Sequence, residues 1–251
     1  MVQALQDNRT VYALDLPGYG ASYRTPVSYN VVRYVDAIVA AARHIQVESG
    51  VQFIDTVALS LTAEFLARAA QLEPETFRRL VLVTPTGFQA GAARLRDETG
   101  QPKTGVTAPE RILRLPGVGD LVFTAFSNAP SIRFFLKVTF GGGVVPQPLV
   151  DRALQTVKVE GAKHAVLAFA SGKLFSSDIR TLYERLSHPV WLAHGTKGPF
   201  CRFGDVAWVD DHPNWCRTQF DTGAFPHFEQ PADFNRRLVH FLTADDVATA
   251  L

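Results

Sequence analysis

The sequence is short of the features that mark several specialised classes of protein. It holds two cysteines, Cys201 and Cys216, too few for a disulfide framework. We read them as free thiols and expect a cytoplasmic protein. It has no surplus of either charge, with 25 Lys plus Arg against 24 Asp plus Glu. A nucleic-acid binder carries a basic excess or stripe, so no nucleic-acid partner is expected. No apolar run reaches the ~18 residues of a membrane span. Residues 1–7 have no basic stretch followed by an apolar one, so no signal peptide is visible. There is no internal repeat and no low-complexity segment. Gly141-Gly142-Gly143 is followed by no Gly-Lys-Ser/Thr, so it reads as a flexible joint and not a phosphate cradle. His212, beside Asp210 and Asp211, reads as a solvated loop. No cofactor and no metal are expected.

What is present is a rhythm of short apolar runs and helical periodicities. The 251 residues suffice for one α/β domain with a large insertion, or for two small domains. Residues 11–16 form an apolar run stopped by Pro17-Gly18-Tyr19-Gly20. Further strand-like runs fall at residues 51–59, 80–83, 189–193 and 215–220. Ser28 is placed to cap a helix bearing Val31, Val35, Ile38 and Ala42 at helical spacing. A second helix follows residue 60, and a last one covers about 232–242. Strands alternating with helices predict a mostly parallel sheet with helices on both faces. Residues 88–187 break the rhythm. They open with a polar loop at 97–103 and continue with apolar helical stretches at 112–126, 132–140, 149–157 and 162–169. The division expected is a core of 1–87 and 188–251, with 88–187 as an inserted helical lid.

Ser60 stands where a strand turns directly into a helix, in Ala58-Leu59-Ser60-Leu61-Thr62. Such a turn lifts a hydroxyl above the sheet, and the N–H of Leu61 then faces a developing oxyanion. Small neighbours are needed two residues either side; Ala58 meets this well and Thr62 poorly. The bland alternative is a serine capping an ordinary helix.

Four features in order resemble the α/β-hydrolase family, particularly its lidded esterase, dehalogenase and C–C hydrolase members. They are Asp15-Leu16-Pro17-Gly18-Tyr19-Gly20, the turn at Ser60, His194-Gly195, and Phe225-Pro226-His227-Phe228-Glu229-Gln230-Pro231 ahead of the last helix. The resemblance covers nearly the whole chain. It implies Ser60 as nucleophile, Leu61 as oxyanion donor, and His194 as a buried structural histidine.

The sequence departs from the family pattern in three places. Gly198 stands where a catalytic carboxylate belongs, and Thr84, Pro85 and Thr86 offer none at the alternative position. Asp205 and Asp221 are the nearest remaining acids, each read first as a surface residue. Ala224 occupies the place of the catalytic histidine. His227 is the surviving candidate base, with a structural histidine at a helix start as the alternative. Only ten residues precede residue 11, so the family's early strands are missing. The expectation is an N-terminally incomplete sheet and a truncated product, for example from a misplaced start codon.

The leading expectation is a serine hydrolase taking a small to medium apolar carboxylic ester or similar acyl compound under a greasy lid. The alternative is a non-hydrolytic relative, cyclase-like, lyase-like or ligand-binding. An unpaired sheet edge also makes homo-oligomers an expectation.

Overall fold

The computed structural model describes residues 1–88, 107–204 and 206–244. The expected loop at 97–103 and the candidate acid Asp205 lie outside the described residues. Among the described residues, four strands make one parallel sheet: β1 (Ile54–Leu59), β2 (Phe77–Val83), β3 (Val190–Gly195) and β4 (Trp215–Phe220), side by side in that order.

Strand side chains alternate between the two faces, and here both faces are apolar. Leu80, Leu82, Val190 and Leu192 join one core cluster with Tyr34, Phe65, Leu66 and Tyr183. Their chain neighbours Val81, Val83, Trp191 and Ala193 join a second with Phe220, Phe234, Leu238 and Phe241. Each such side chain taken out of water contributes about 1.5–3 kcal/mol, so the two-faced pattern locks the register.

Helices supply the covering layers. α1 (Val2–Leu5) comes first and is followed by α2 (Val31–Ser49) and, after β1, α3 (Thr62–Leu72). Between β2 and β3 lie α4 (Ala108–Leu113), α5 (Val118–Phe126), α6 (Ala129–Thr139), α7 (Gln147–Thr156), α8 (Ala162–Ala170) and α9 (Ile179–Glu184). The chain closes with α10 (Ala207–Asp211), α11 (Pro226–Glu229) and α12 (Pro231–Thr243). α2, α3 and α9 cover one face of the sheet, and α12 covers the other. Ile132, Leu136 and Val150 form a separate small cluster between α6 and α7.

Three local expectations are corrected. Residues 11–16 form no strand; they have no regular secondary structure and pair with none of the four strands, and Val11, Tyr12 and Leu14 are exposed. An apolar run becomes a strand only when a ladder receives its backbone groups. Second, Asn30 caps α2, its Oδ1 accepting from Arg33 N at 2.9 Å. Ser28 instead receives the Nζ of Lys173 on its hydroxyl at 3.2 Å. Third, the helix expected over 112–126 is broken at Pro116-Gly117, where Gly117 has φ 77°.

The Asp15–Gly20 turn shows why its glycines are there. Asp15 Oδ2 accepts from Ala21 N at 2.8 Å, and a Cβ on Gly20 would lie 2.0 Å from that carboxyl. A Cβ on Gly18 would lie 2.5 Å from Ala165 of α8. The turn is thus both a tight loop and the seat of a later helix. Lys173, paired with the buried Glu110 of α4 at 2.8 Å, also donates to Ser28 and so adds a second fastening between the β2–β3 segment and the chain ahead of α2. Both charges are out of water, so removing one partner costs more than the pair itself contributes.

Candidate active site

The turn at Ser60 is built by the sheet. β1 ends at Leu59 and α3 begins at Thr62, leaving two residues to reverse the chain. Ser60 meets this with φ 53°, a left-handed conformation that costs a non-glycine residue about 1–3 kcal/mol. Its N–H donates to Val83 O at 2.9 Å, continuing the β1–β2 ladder past the strand end. Its carbonyl receives Ala63 N at 3.1 Å and Thr86 N at 3.4 Å. Ser60 is exposed, and among the described residues its hydroxyl has no hydrogen-bond partner.

Leu61 is buried and helical, with φ −61° and ψ −28°. Its amide lies at the start of α3, where the first N–H groups have no helical acceptor and the helix dipole favours negative charge. Ala58 is buried and Thr62 half-buried on either side.

The other candidate site residues, Gly198, Ala224 and His227, lie in the loops after β3 and β4 and in α11. β4 is three strands from β1, roughly 14 Å at about 4.8 Å per strand. The loop after β4 is tied down locally. Thr196 N and Lys197 N both donate to Thr222 O, at 3.0 and 2.8 Å, and Ala224 N donates to Thr139 O at 2.7 Å. Gly223 is packed against the end of α6, where a Cβ would lie 2.4 Å from Thr139 O. Gly198 has φ 85°, and its Cβ would lie 3.0 Å from Gly141 Cα. So Gly198 and Ala224, the residues expected from the sequence at the places of the acid and the histidine, both lie against the end of α6.

His227 sits in α11 with its ring against Phe225, Phe228 and Phe234. Its Nδ1 is buried without a partner, and no hydrogen bond joins it to Ser60 among the described residues. Burial, with a smaller push from the charged amino terminus, lowers its pKa to about 4. It is neutral at pH 7 but a weak proton acceptor there. Asp221 is exposed and paired with Lys197 at 2.9 Å. His194 is buried, stacked on Phe203, and its Nδ1 lies 2.8 Å from Gly195 O. Burial lowers its pKa as well.

The structure also reveals residues that the sequence reading passed over. Glu64, on the first turn of α3, is 1% exposed. Its Oε1 accepts from Thr86 Oγ1, and its Oε2 accepts from Ser176 N at 2.9 Å. Burial raises its pKa to about 7. Thr84 repeats the strained turn at the end of β2, with φ 41°. A signal for Glu64 was present: it is the lone charge in the apolar run Ala63-Glu64-Phe65-Leu66-Ala67, four residues after Ser60.

Two shallow grooves, of about 410 and 420 Å³, flank the Pro17–Asn30 region, one lined by Arg24, Glu160 and His164 and the other by Tyr23, Arg33 and Asp36. Neither is lined by Ser60. No helix among the described residues is long and apolar enough to cross a membrane.

Comparison with known proteins places this geometry. The meta-cleavage product hydrolase CumD from Pseudomonas fluorescens IP01 is 17% identical, with a TM-score of 0.70 over 96% of this chain and 82% of that one. The 2-hydroxy-6-oxo-6-phenylhexa-2,4-dienoate hydrolase BphD from Rhodococcus sp. strain RHA1 is 16% identical, with a TM-score of 0.68 over 97% and 83%. The esterase EaEST from Exiguobacterium antarcticum is 15% identical, with a TM-score of 0.66 over 92% and 80%. These likenesses show a shared fold. No curated protein matches the chain. The alpha/beta hydrolase family model matches residues 1–238. With the parallel sheet, the strained serine turn and the Asp15–Gly20 loop, that match establishes that the chain belongs to the alpha/beta hydrolase family.

Proposed function

We propose that the protein is a serine hydrolase of small to medium apolar carboxylic esters or similar acyl compounds. The single observation that carries this reading is the positive φ of Ser60, 53°, between β1 and α3. A strained non-glycine residue persists where the fold holds it for a purpose, and this one presents a hydroxyl at a helix start. Ser60 Oγ attacks the acyl carbon, the Leu61 N–H receives the oxyanion, and the alcohol departs with a proton. Water then cleaves the acyl-enzyme and returns the hydroxyl. His227 is the candidate proton acceptor; it acts only if the loop after β4 leaves its contacts with α6. The helices between β2 and β3, with residues 88–187 as the unit, serve in this reading as the lid over an apolar substrate. The hydrolase and esterase structures of the same fold support the reaction class.

A second reading is a non-hydrolytic member of the family. The observation favouring it is the packing of Gly198, Gly223 and Ala224 against the end of α6, which fills the places of the acid and the histidine. One experiment separates the two. Wild-type protein and Ser60→Ala are treated with a fluorophosphonate probe and labelling is quantified. Labelling lost in Ser60→Ala supports the hydrolase; equal labelling sinks it and leaves the second reading. His227→Ala tested alongside should slow labelling at least tenfold if His227 is the base.

A further inference from the structure

The charged side chain nearest in sequence to Ser60 is the buried Glu64, and nothing in the reaction above uses it. A lone carboxyl in an apolar layer is costly unless its oxygens are met by donors. Here both are met, and by two different parts of the chain. Thr86, from the loop after β2, donates its hydroxyl to Oε1. Ser176, from the stretch between α8 and α9, donates its backbone N–H to Oε2 at 2.9 Å. Thr86 in turn donates its own N–H to the carbonyl of Ser60 at 3.4 Å, and its carbonyl accepts from Tyr183 Oη at 3.2 Å. The links close a ring: Ser60 to Thr86, Thr86 to Glu64, and Glu64 back to Ser60 along the chain through the start of α3.

We propose that Glu64 is the positioning residue of the Ser60 turn, holding Thr86 against the Ser60 carbonyl so that the left-handed backbone is kept. The proposal deepens the serine-hydrolase reading and rests on it for its catalytic consequence. The mechanical part follows from the contacts alone. Ser60 at φ 53° and Thr84 at φ 41° are adjacent strained turns at the ends of neighbouring strands. Strain of about 1–3 kcal/mol at each persists only where surrounding bonds over-determine the backbone. Thr86 lies two residues beyond one strained residue and bonds the other. Glu64 is the group that fixes its hydroxyl.

The carboxyl is also set to titrate. The charged and titratable groups facing it are Arg68 of α3, itself paired with Asp178, and Tyr183 of α9. Both contacts to Glu64 are donations to its oxygens, which suit the carboxylate, while burial favours the neutral acid. The balance puts the pKa at about 7. The hold on Thr86 should therefore tighten as pH rises through neutrality.

The test compares wild type, Glu64→Gln and Glu64→Ala. Glutamine keeps an acceptor oxygen and removes the titration; alanine removes the hold. Hydrogen–deuterium exchange is followed in peptides spanning 59–66 and 84–88, with 190–195 as an internal reference. The expected result is at least tenfold faster exchange in the two turn peptides of Glu64→Ala, with residues 190–195 unchanged. Glu64→Gln should stay within about threefold of wild type and lose any change in turn exchange between pH 6 and 8 beyond the intrinsic one. Uniformly faster exchange in all three peptides would mean that Glu64 only stabilises the fold, and overturns the proposal. Unchanged turn exchange in Glu64→Ala overturns it too. Fluorophosphonate labelling of the same variants then reads the chemistry. Loss of labelling in Ser60→Ala with local loosening in Glu64→Ala upholds both the positioning role and the hydrolase. Local loosening without Ser60-dependent labelling upholds the positioning role and sinks the hydrolase.

Discussion

The two ends of the sheet are built differently. Every residue of β3 is buried, and so are Gly223 and Ala224 in the loop after β4. β1 is the outer strand; of its six residues only Ala58 is buried, and Val57 is 40% exposed. At the closed end, backbone meets backbone through glycine: a Cβ on Gly195 would lie 1.8 Å from Gly223 O. At the open end, Ser60 faces outward from a strained turn with no side-chain partner. The difference teaches where this member departs from its family. In the serine-hydrolase reading proposed above, the candidate nucleophile Ser60 sits at the open end, whereas Gly198 and Ala224, where the resemblance puts the acid and the histidine, are closely packed at the other.

The largest test of that contrast is truncation. Trp191→Ala should cost about 3–5 kcal/mol in denaturant unfolding, because Trp191 is fully buried between Phe234 and Phe241. Val57→Ala on β1 should cost under about 1 kcal/mol, since its side chain keeps much of its contact with water. Equal costs would mean that the two ends are packed alike.

Restoring the family's histidine comes next. Ala224→His places a larger polar ring in a buried site held by Thr139 O, and overpacking of this kind costs about 1–3 kcal/mol. We expect a lower melting temperature and no faster fluorophosphonate labelling. A tenfold gain in labelling would show that the closed end opens readily.

A third test uses pH. His227 has a folded pKa of about 4, below its ordinary 6.5. Its contribution to stability is full above 6.5 and is lost as pH falls towards 4. Glu64 has a folded pKa of about 7, above its ordinary 4.5. Its contribution is full below 4.5 and is lost as pH rises through 7. The two slopes oppose each other between 4.5 and 6.5. Melting temperature should thus vary little there in the wild type. It should rise with pH in Glu64→Gln and fall with pH in His227→Gln. Parallel profiles in the two variants would refute the assignment.

The smallest effect is expected at Asp221. Its pair with Lys197 is exposed, and such pairs contribute about 0–1 kcal/mol. Asp221→Asn should leave both unfolding and labelling near wild type. A large loss of labelling would make it the missing acid.

Much of this was legible in the residues. The four strands of the sheet, the helical stretch between β2 and β3, the last helix and the turn at Ser60 follow from apolar runs, periodicity and punctuation. Residues 11–16 misled because their pattern is that of a strand, while strand formation depends on a neighbour that periodicity does not report. Glu64 was overlooked because a single carboxylate in a helix ordinarily faces water. Its burial depends on Thr86 and Ser176, which are distant in sequence.

The sequence by itself determined the family, the parallel α/β architecture and the place of the Ser60 turn between a strand and a helix, because these rest on local pattern and on the order of motifs. Only the tertiary structure decided which sheet edge stays open, that Gly198 and Ala224 lie against the end of α6, and that Glu64 holds the loop beside Ser60. The physical reason is range. Periodicity and turn chemistry act within a few residues, whereas burial, close backbone approach and hydrogen-bond partners are set by segments that meet only in the folded chain.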